Sequence, residues 1–175
     1  MRIAALIALL LASVVSAAER VPDALALVVM LKVVSYDTAF PSHGNGDFVV
    51  LVPFGDGDEA KATALAAEGA KLEVKKIKDR TLKFTPVPLR ELASAKGTAI
   101  LLHLGLKPDA LKAALAKAQS EKLYVLAVDE TAVKDGALLG VGLSNGKPQP
   151  LINVAAMRGI GADFGPVLRL ARTFQ

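Results

Sequence analysis

The chain has 175 residues, a formal net charge of +4, two His, and neither Cys nor Trp. This length suits one domain with a single hydrophobic core. The small and scattered basic excess argues against nucleic-acid binding, in which basic residues crowd one face. The lack of Cys excludes disulfides and thiolate chemistry.

Residues 1–18 show the order of a secretory signal peptide. Arg2 supplies the positive charge, the run over residues 3–15 is apolar except for Ser13, and small residues occupy positions 16–18. The apolar run is shorter than the about 20 residues that a transmembrane helix needs. We therefore expect a cleaved signal peptide over residues 1–18 and an exported single domain over residues 19–175.

The segment from Val21 to Val34 predicts a helix in which Asp23 and Lys32 are the only charged residues. Two interpretations stay open for so apolar a helix. It is either buried on most sides, or it offers a face to a partner or to a second copy of the chain. Residues 37–46, which contain one proline and two glycines, predict a loop.

The next elements alternate between strands and helices. A β-branched run over Phe48–Val52 predicts a strand that is covered on both faces. A helix is expected over Ala60–Ala67, with Asp58 as its cap. Lys71–Ile77 predicts a polar strand whose lysines protect an edge of the sheet. The two remaining elements of this half are a short strand over Leu82–Phe84 and a short helix over Pro86–Ala95.

The following unit has the pattern of a βαβ crossover. Apolar strands are predicted over Thr98–Leu104 and Leu123–Val128, and an amphipathic helix over Pro108–Glu121 lies between them. A crossover of this length joins neighbouring parallel strands of one sheet. The unit therefore predicts an α/β protein.

The C-terminal part predicts a hairpin and a last helix. Strands over Leu138–Leu143 and Leu151–Val154 flank a Ser144-Asn145-Gly146 turn, and a short helix is expected over Val167–Arg172. The predicted fold is a single three-layer α/β domain. It has a mostly parallel sheet with an antiparallel C-terminal hairpin, flanked by helices.

The inventory of reactive side chains is small. We interpret His43 as a solvated loop residue and His103 as a satisfied histidine at a strand end. No second His or Cys stands at metal-ligand spacing from either, and no Gly-x-Ser-x-Gly motif is present. We therefore predict no catalytic residue, no metal site and no cofactor, and expect a protein that is not an enzyme.

Two charged segments have an ordinary interpretation beside a functional one. Residues 55–59 combine two glycines with three carboxylates, which favours a turn and helix cap over a weak cation site and argues against phosphate. The charges between Lys71 and Arg80 favour a solvated edge strand over a surface that docks an acidic partner or lipid head groups.

Three stretches carry a resemblance to a known family. The apolar helix ends in Lys32-Val33-Val34-Ser35-Tyr36, and the crossover unit ends at Asp129. The C-terminal stretch contains Ile152-Asn153-Val154-Ala155-Ala156 and Leu168-Arg169-Leu170-Ala171-Arg172. In this order the chain resembles the YfiR-type family of small periplasmic regulatory proteins over most of residues 19–175. The aromatic-proline step of that family stands here as Tyr36-Asp37.

The resemblance implies a periplasmic, non-enzymatic regulator. Such a protein binds and inhibits the sensor domain of a membrane-bound diguanylate cyclase or a similar signalling protein, including a sensor kinase, and so lowers cyclic-di-GMP signalling. Lys32 and Tyr36, at the end of the apolar helix, are the predicted partner-binding residues. The alternative is a small periplasmic solute-binding protein that serves a transporter or receptor, with a cleft at the carboxyl ends of the strands.

Overall fold

The computed structural model describes residues 20–175, and the predicted signal peptide at residues 1–18 lies outside the described residues. Eight strands form one sheet in the order β2-β3-β1-β4-β5-β6-β7-β8. The strands are Phe48–Phe54 (β1), Lys76–Ile77 (β2), Arg80–Pro88 (β3), Ala99–Leu102 (β4), Tyr124–Ala127 (β5), Leu139–Ser144 (β6), Lys147–Asn153 (β7) and Arg172–Phe174 (β8).

Five strands, β3, β1, β4, β5 and β6, run parallel to one another. The short β2 pairs antiparallel with β3, β7 pairs antiparallel with β6, and β8 runs parallel to β7. The predicted fold class is confirmed, because the sheet is mostly parallel and ends in the expected antiparallel hairpin. Within residues 20–175, no helix is both long and apolar enough to cross a membrane.

The α-helices cover the two faces of this sheet. They are Asp23–Ser35 (α1), Glu59–Lys71 (α2), Pro108–Glu121 (α3), Glu130–Lys134 (α4) and Val154–Ile160 (α5). Helix α1 packs on α2, β6 and β7, whereas α3 packs on α5, β4 and β5. The crossovers through α2 and α3 run in opposite directions along the sheet. Right-handed crossovers therefore place these two helices on opposite faces.

The predicted crossover unit and hairpin are confirmed. Helix α3 has the predicted bounds Pro108–Glu121, and it ends where Lys122 adopts a left-handed conformation with φ of 55°. In the hairpin, Asn145 and Gly146 have φ of 51° and 71°. Two positive φ values in a two-residue loop are typical of the type I′ turn, which matches the twist of the flanking strands.

Three predicted elements are wrong. The polar strand over Lys71–Ile77 is reduced to β2, because the alanine-rich helix α2 continues to Lys71. The short helix predicted within Pro86–Ala95 is reduced to a 3-10 helix over Leu89–Glu91, because β3 extends to Pro88. Both prolines of β3 lie beyond the two residues that pair with β2, on the open side of the strand, where no donor is needed.

The third wrong element is the C-terminal helix over Val167–Arg172. A 3-10 helix occupies Gly165–Arg169, and Arg172 opens strand β8. Helix α5, which the sequence pattern did not predict, begins directly after β7. The side chain of Asn153 caps it by accepting a hydrogen bond of 2.9 Å from the Ala156 N–H.

Helix α1 has one buried stripe, as the first interpretation of its apolar sequence predicts, and a second stripe that is partly exposed. Leu27, Met30, Leu31 and Val34 are buried at the i, i+3, i+4, i+7 spacing of a core-facing stripe. A second stripe over residues 29, 32, 33 and 36 has the same spacing and is shifted by two positions, or about 200° around the helix, from the first. This second stripe leads to the candidate functional site.

Candidate functional site

An apolar groove lies where α1, the proline-containing half of β7 and the C-terminal 3-10 helix meet. Its volume is about 450 Å³. We call it the α1–β7 groove. It is defined by Val28, Val29, Lys32, Val33, Tyr36, Pro148, Gln149, Pro150, Val167 and Leu170. The predicted partner-binding residues Lys32 and Tyr36 both line it, and the structure therefore brings them together on one surface.

Two large side chains of the groove are open to solvent. Tyr36 is 52% exposed and Leu170 is 73% exposed. The ammonium of Lys32 lies 5.3 Å from the centroid of the Tyr36 ring, a distance at which a cation is attracted to the ring face. The α1–β7 groove thus presents an aromatic ring, a branched aliphatic side chain and a lysine at one place on the surface.

The prolines of β7 explain why the sheet leaves this groove open. Pro148 and Pro150 pair with Leu143 and Val141 of β6 on one side. On the other side, β8 joins β7 only from Leu151 onward. A proline has no N–H to donate to a further strand. The edge of β7 at residues 147–150 therefore carries no strand within the described chain, and α1 and the 3-10 helix form the walls beside it.

Asp37, the residue after Tyr36, fixes this end of α1. Its side chain is fully buried. The carboxylate accepts hydrogen bonds from the Ala39 N–H at 2.8 Å, the Asp163 N–H at 2.8 Å and the Tyr124 hydroxyl at 2.5 Å. The position of Tyr36 in the groove is therefore set by a buried contact to β5 and to the C-terminal segment.

A buried arginine extends this arrangement along the amino edge of the sheet. Arg80 is 7% exposed. Its guanidinium donates to the backbone carbonyls of His43, Gly44, Gly46 and Asp47 and to the Thr98 hydroxyl at 2.7 Å. One side chain thus holds the loop between α1 and β1 on the sheet. We call Asp37, His43, Arg80 and Tyr124 the Asp37 cluster.

The electrostatics of the Asp37 cluster favour a structural role. Burial, together with the hydrogen bond to Asp37, raises the pKa of the Tyr124 phenol, and burial lowers the pKa of the Arg80 guanidinium. The aromatic rings of Phe40 and Phe48 stack at 5.9 Å beside the cluster. The cluster is covered from solvent at the amino ends of the strands. We therefore interpret it as a set of structural contacts that fixes the loop between α1 and β1.

The histidine interpretations need correction. His43 was expected to be a solvated loop residue, but its side chain is 2% exposed. Its Nδ1 lies 3.0 Å from the Lys122 carbonyl, and its ring lies 4.6 Å from the Tyr124 ring. His103 does lie at the end of β4 and is buried, as expected. It is not satisfied, however, because its Nε2 has no hydrogen-bond partner within residues 20–175.

The two charged segments also differ in part from expectation. Asp58 precedes α2, but its side chain makes no cap hydrogen bond and instead accepts from Lys61 Nζ at 2.8 Å. That contact lowers the pKa of the Asp58 carboxyl. In the segment Lys71–Arg80, β2 is an edge strand as predicted. Arg80 is not solvated, and Lys78 donates to the Asp37 carbonyl at 2.8 Å. Among residues 20–175, no three His, Asp or Glu side chains group closely enough to hold a metal ion.

A second apolar groove lies between α3 and α5, beside their contact, on the opposite face of the sheet. Its volume is about 340 Å³. The helix that connects β5 to β6, α4, has only five residues, and so the gap stays open. Its polar lining residues are Gln119 and Asn153, and Asn153 already donates to the Val133 carbonyl at 3.0 Å and caps α5. The groove therefore offers shape and apolar surface but no free polar group from that residue.

Comparison with known proteins places the fold. No family model and no curated protein match this chain. Among solved structures, the ABC domain of Streptococcus pneumoniae in complex with L-Trp has a TM-score of 0.57 and 15% identity, over 87% of this chain and 60% of that one.

A conserved domain protein from Vibrio cholerae O1 biovar El Tor has a TM-score of 0.59 and 14% identity, over 88% of this chain and 60% of that one. This chain thus spans about three fifths of the length of both neighbours. At such low identity, the likeness shows that these chains share an α/β fold.

Proposed function

We propose that this chain is a non-enzymatic regulatory protein of the periplasm. In this proposal it binds the sensor domain of a membrane-bound signalling protein, a diguanylate cyclase or a sensor kinase, through the α1–β7 groove. The observation that carries the proposal is the half-exposed ring of Tyr36 over an apolar groove, next to the exposed Leu170. The resemblance to the YfiR-type family supports the choice of partner.

The composition of the groove suits a protein partner. Protein interfaces have an apolar, aromatic centre within a polar rim, and their binding energy concentrates in a few residues such as tyrosine. Tyr36 and Leu170 would form such a centre. A rigid backbone favours binding as well, because less freedom is lost on association. The buried contacts of Asp37 supply that rigidity for Tyr36.

The charge around the groove indicates an acidic partner surface. Among the described residues that line the groove, Lys32 is the one with a charge and none is a carboxylate. The exposed Lys147 and Arg169 adjoin the lining residues Pro148 and Leu170 in the chain. An apolar centre with basic residues around it complements an apolar patch with acidic residues around it.

Site-specific cross-linking from the groove tests the proposal. A photoreactive phenylalanine replaces Tyr36 in one variant and Leu170 in another, and the mature protein is irradiated in its native envelope. We expect both positions to cross-link to one membrane protein, with contacts mapped by mass spectrometry to its periplasmic sensor domain. Leu25, which is 43% exposed on the same helix but lies outside the groove, is the matched control position.

The purified sensor domain then gives the quantitative measurement. We expect Tyr36→Ala to weaken its binding about 30-fold, which corresponds to about 2 kcal/mol for a central interface tyrosine, and Leu25→Ala to leave it unchanged. Cross-links from the groove to a second copy of the chain alone, or to a transporter subunit, would contradict the regulatory proposal. Equal cross-linking from position 25 would show that the groove is not the binding surface.

The second candidate function is binding of a small ligand. It is favoured by the fold shared with a domain that was solved in complex with L-Trp. In parallel α/β sheets, ligands bind at the carboxyl ends of the strands. Differential scanning fluorimetry against a panel of amino acids and other small solutes tests it. A saturable rise of the melting temperature supports ligand binding, and no rise with any solute counts against it.

A further inference from the structure

A small cavity lies at the carboxyl end of β4, between the first turn of α1 and helix α2. Its volume is about 210 Å³. His103 and Leu104 form its floor, Asp23 comes from α1, and Lys61, Leu65 and Glu68 come from α2. We call it the His103 cavity. It lies far along α1 from Tyr36, so it is separate from the α1–β7 groove.

The hydrogen bonding of His103 indicates which kind of group would complement this cavity. The side chain is buried, with the residue 4% exposed. Its Nδ1 lies 3.1 Å from the Leu104 carbonyl oxygen. A carbonyl only accepts, so Nδ1 carries the proton of the neutral imidazole. The Nε2 is then an acceptor, and it is buried without a hydrogen-bond partner in the described chain.

A second buried acceptor belongs to the same cavity. Oδ1 of Asp23 also lacks a hydrogen bond within residues 20–175. The nearest cation, Nη2 of Arg20, lies 3.0 Å from it without the direction of a hydrogen bond. Buried polar atoms without partners are uncommon in folded proteins. Two of them among the residues of one small cavity point to a ligand that donates hydrogen bonds.

The charges of the cavity specify the sign of that ligand. Its charged lining residues are the carboxylates of Asp23 and Glu68 and the ammonium of Lys61. Lys61 is already paired with Asp58, at 2.8 Å. Asp23 is likewise in an ion pair, with Arg20 at 3.0 Å. Within residues 20–175 this leaves the Glu68 carboxylate without an ion pair, beside the two acceptors that lack hydrogen bonds. The cavity is therefore rich in acceptors and carries a net negative charge, which favours a cation over an anion. Leu65 and Leu104 add an apolar wall beside these groups.

We propose that the His103 cavity binds a small primary ammonium compound with a short aliphatic chain. The ammonium donates to Nε2 of His103 and to Oδ1 of Asp23, and the chain lies against Leu65 and Leu104. This inference gives the second candidate function a defined site and ligand class, and it is independent of the α1–β7 groove. Three donors on one cationic nitrogen suit the two acceptors and the nearby Glu68.

Nuclear magnetic resonance of the two histidine rings tests the site. In the full mature protein, ¹⁵N-detected ring spectra are recorded while propylammonium chloride is added at constant pH. We expect the free protein to show the tautomer protonated at Nδ1 for His103, and the Nε2 signal to shift in a saturable way. The ring nitrogen signals of the buried His43 serve as an internal control, and we expect them not to shift. As a ligand control, propionate, which has the same chain length, is expected to produce no shift at His103.

Variants make the test specific. Asp23→Asn keeps the shape of the side chain and removes its charge, and we expect it to weaken propylammonium binding at least tenfold. Glu73→Gln, which removes an exposed carboxylate outside the cavity, leaves binding unchanged. Backbone amide spectra confirm that each variant is folded. His103→Gln serves as a second cavity variant with the same expected weakening.

Three results would overturn the proposal, and they are distinguishable. A shift of His103 by propionate and not by propylammonium would give the cavity the opposite charge preference. Shifts elsewhere with His103 unmoved would leave the second candidate function standing and remove this site. No saturable shift at either histidine with propylammonium would remove the site, and no rise of the melting temperature with any solute would in addition count against small-ligand binding.

Discussion

The hydroxyl of Tyr124 donates a hydrogen bond of 2.5 Å to the carboxylate of Asp37, and the two residues are 87 positions apart in the chain. Asp37 follows Tyr36, the C-cap residue of α1, and Tyr124 opens the central strand β5. The bond therefore joins the end of the helix that carries Tyr36 to the middle of the sheet. The proposed partner surface depends on it for its position.

Tyr124→Phe is expected to lower the free energy of unfolding by about 1 to 3 kcal/mol. The substitution leaves a buried carboxylate with one donor fewer, and an unsatisfied buried group costs its full desolvation. Urea unfolding followed by circular dichroism measures the change. Tyr36→Phe is the matched control, because its hydroxyl belongs to an exposed side chain, and it leaves the unfolding midpoint in place. Equal unfolding midpoints for the two variants would contradict the structural role of the Asp37 cluster.

Alkaline pH tests the same contact in the wild-type protein. Burial and the hydrogen bond to Asp37 raise the pKa of Tyr124 above the ordinary value of about 10. Above pH 10 the unfolded chain loses the phenol proton and the folded chain retains it. The stabilisation by this group is therefore complete below pH 10 and declines as pH rises further, by up to about 1.4 kcal/mol per pH unit.

The measurement is the difference between wild type and Tyr124→Phe in unfolding free energy across pH 9 to 11.5. Other groups titrate in this range too, but they contribute equally to both proteins. We expect the stability advantage of the wild type to shrink as pH rises through this interval. A constant difference would mean that Tyr124 loses its proton equally readily in the folded and unfolded chains.

Arg80→Lys is expected to destabilise the fold although it keeps the positive charge. The guanidinium reaches several backbone carbonyls and the Thr98 hydroxyl at the same time, and a lysine ammonium cannot reproduce that planar set of donors. We expect a loss of about 2 to 4 kcal/mol, since several partly buried carbonyls and the buried Thr98 hydroxyl lose their partner together. Arg90→Lys, at an exposed arginine, is the control with unchanged stability. Chemical unfolding measures the free energy of unfolding of both variants. A small loss for Arg80→Lys would show that water replaces the contacts of the guanidinium.

The sequence predicted the parts of the fold that local patterns determine. The βαβ unit and the Asn145-Gly146 hairpin are encoded within short segments, by hydrophobic periodicity and by turn chemistry. The Asp37 cluster is not, because its members come from the loop after α1, from β3 and from β5, and a single Asp in a loop carries no local signal. A buried His43 was missed for the same reason.

Only part of the α1–β7 groove could be predicted from the sequence. Lys32 and Tyr36 stood out because they end an unusually apolar helix. Leu170 could not be assigned to the groove, because the segment from Val167 onward was predicted as a helix, whereas it forms a 3-10 turn that leads into β8. The decisive contact is the pairing of Leu151 with Arg172, and such a parallel pairing at a sheet end leaves no pattern in the residues between.

Gly140→Ala is expected to destabilise the sheet by about 1 to 3 kcal/mol through overpacking. A methyl group at this position of β6 would lie 2.5 Å from Val133 Cγ2 and 3.2 Å from the Ala127 carbonyl oxygen. The backbone cannot move away easily. Val133→Ala in the same chain removes the closer contact, so the double variant should recover part of the loss. Gly159→Ala has open space around it and is expected to stabilise α5 by about 0.5 to 1 kcal/mol.

Thermal unfolding of the wild type, Gly140→Ala, Val133→Ala and the double variant measures the coupling between positions 133 and 140. If Gly140→Ala and Val133→Ala simply add, the two positions do not share the contact, and the packing of α4 on β6 is looser than the distances indicate.

Substitutions of Lys32 separate the effect of its charge on the association rate from its effect on the dissociation rate of the proposed complex. Lys32→Glu reverses its charge, and Lys32→Met keeps a long aliphatic side chain beside Tyr36 without the charge. For an acidic partner, we expect the association rate with the sensor domain to fall in the order wild type, Met variant, Glu variant. Charges at the edge of an interface act mainly on the encounter, so the dissociation rate changes little.

Stopped-flow binding at two salt concentrations completes the experiment. Added salt screens the attraction between exposed charges, so it should slow the wild type, affect the Met variant less, and accelerate the Glu variant. Leu25→Met on the same helix is the control with wild-type rates. Rates that are the same for all variants would mean that the partner does not present acidic groups to Lys32. A faster association of the Glu variant at low salt would assign a basic surface to the partner.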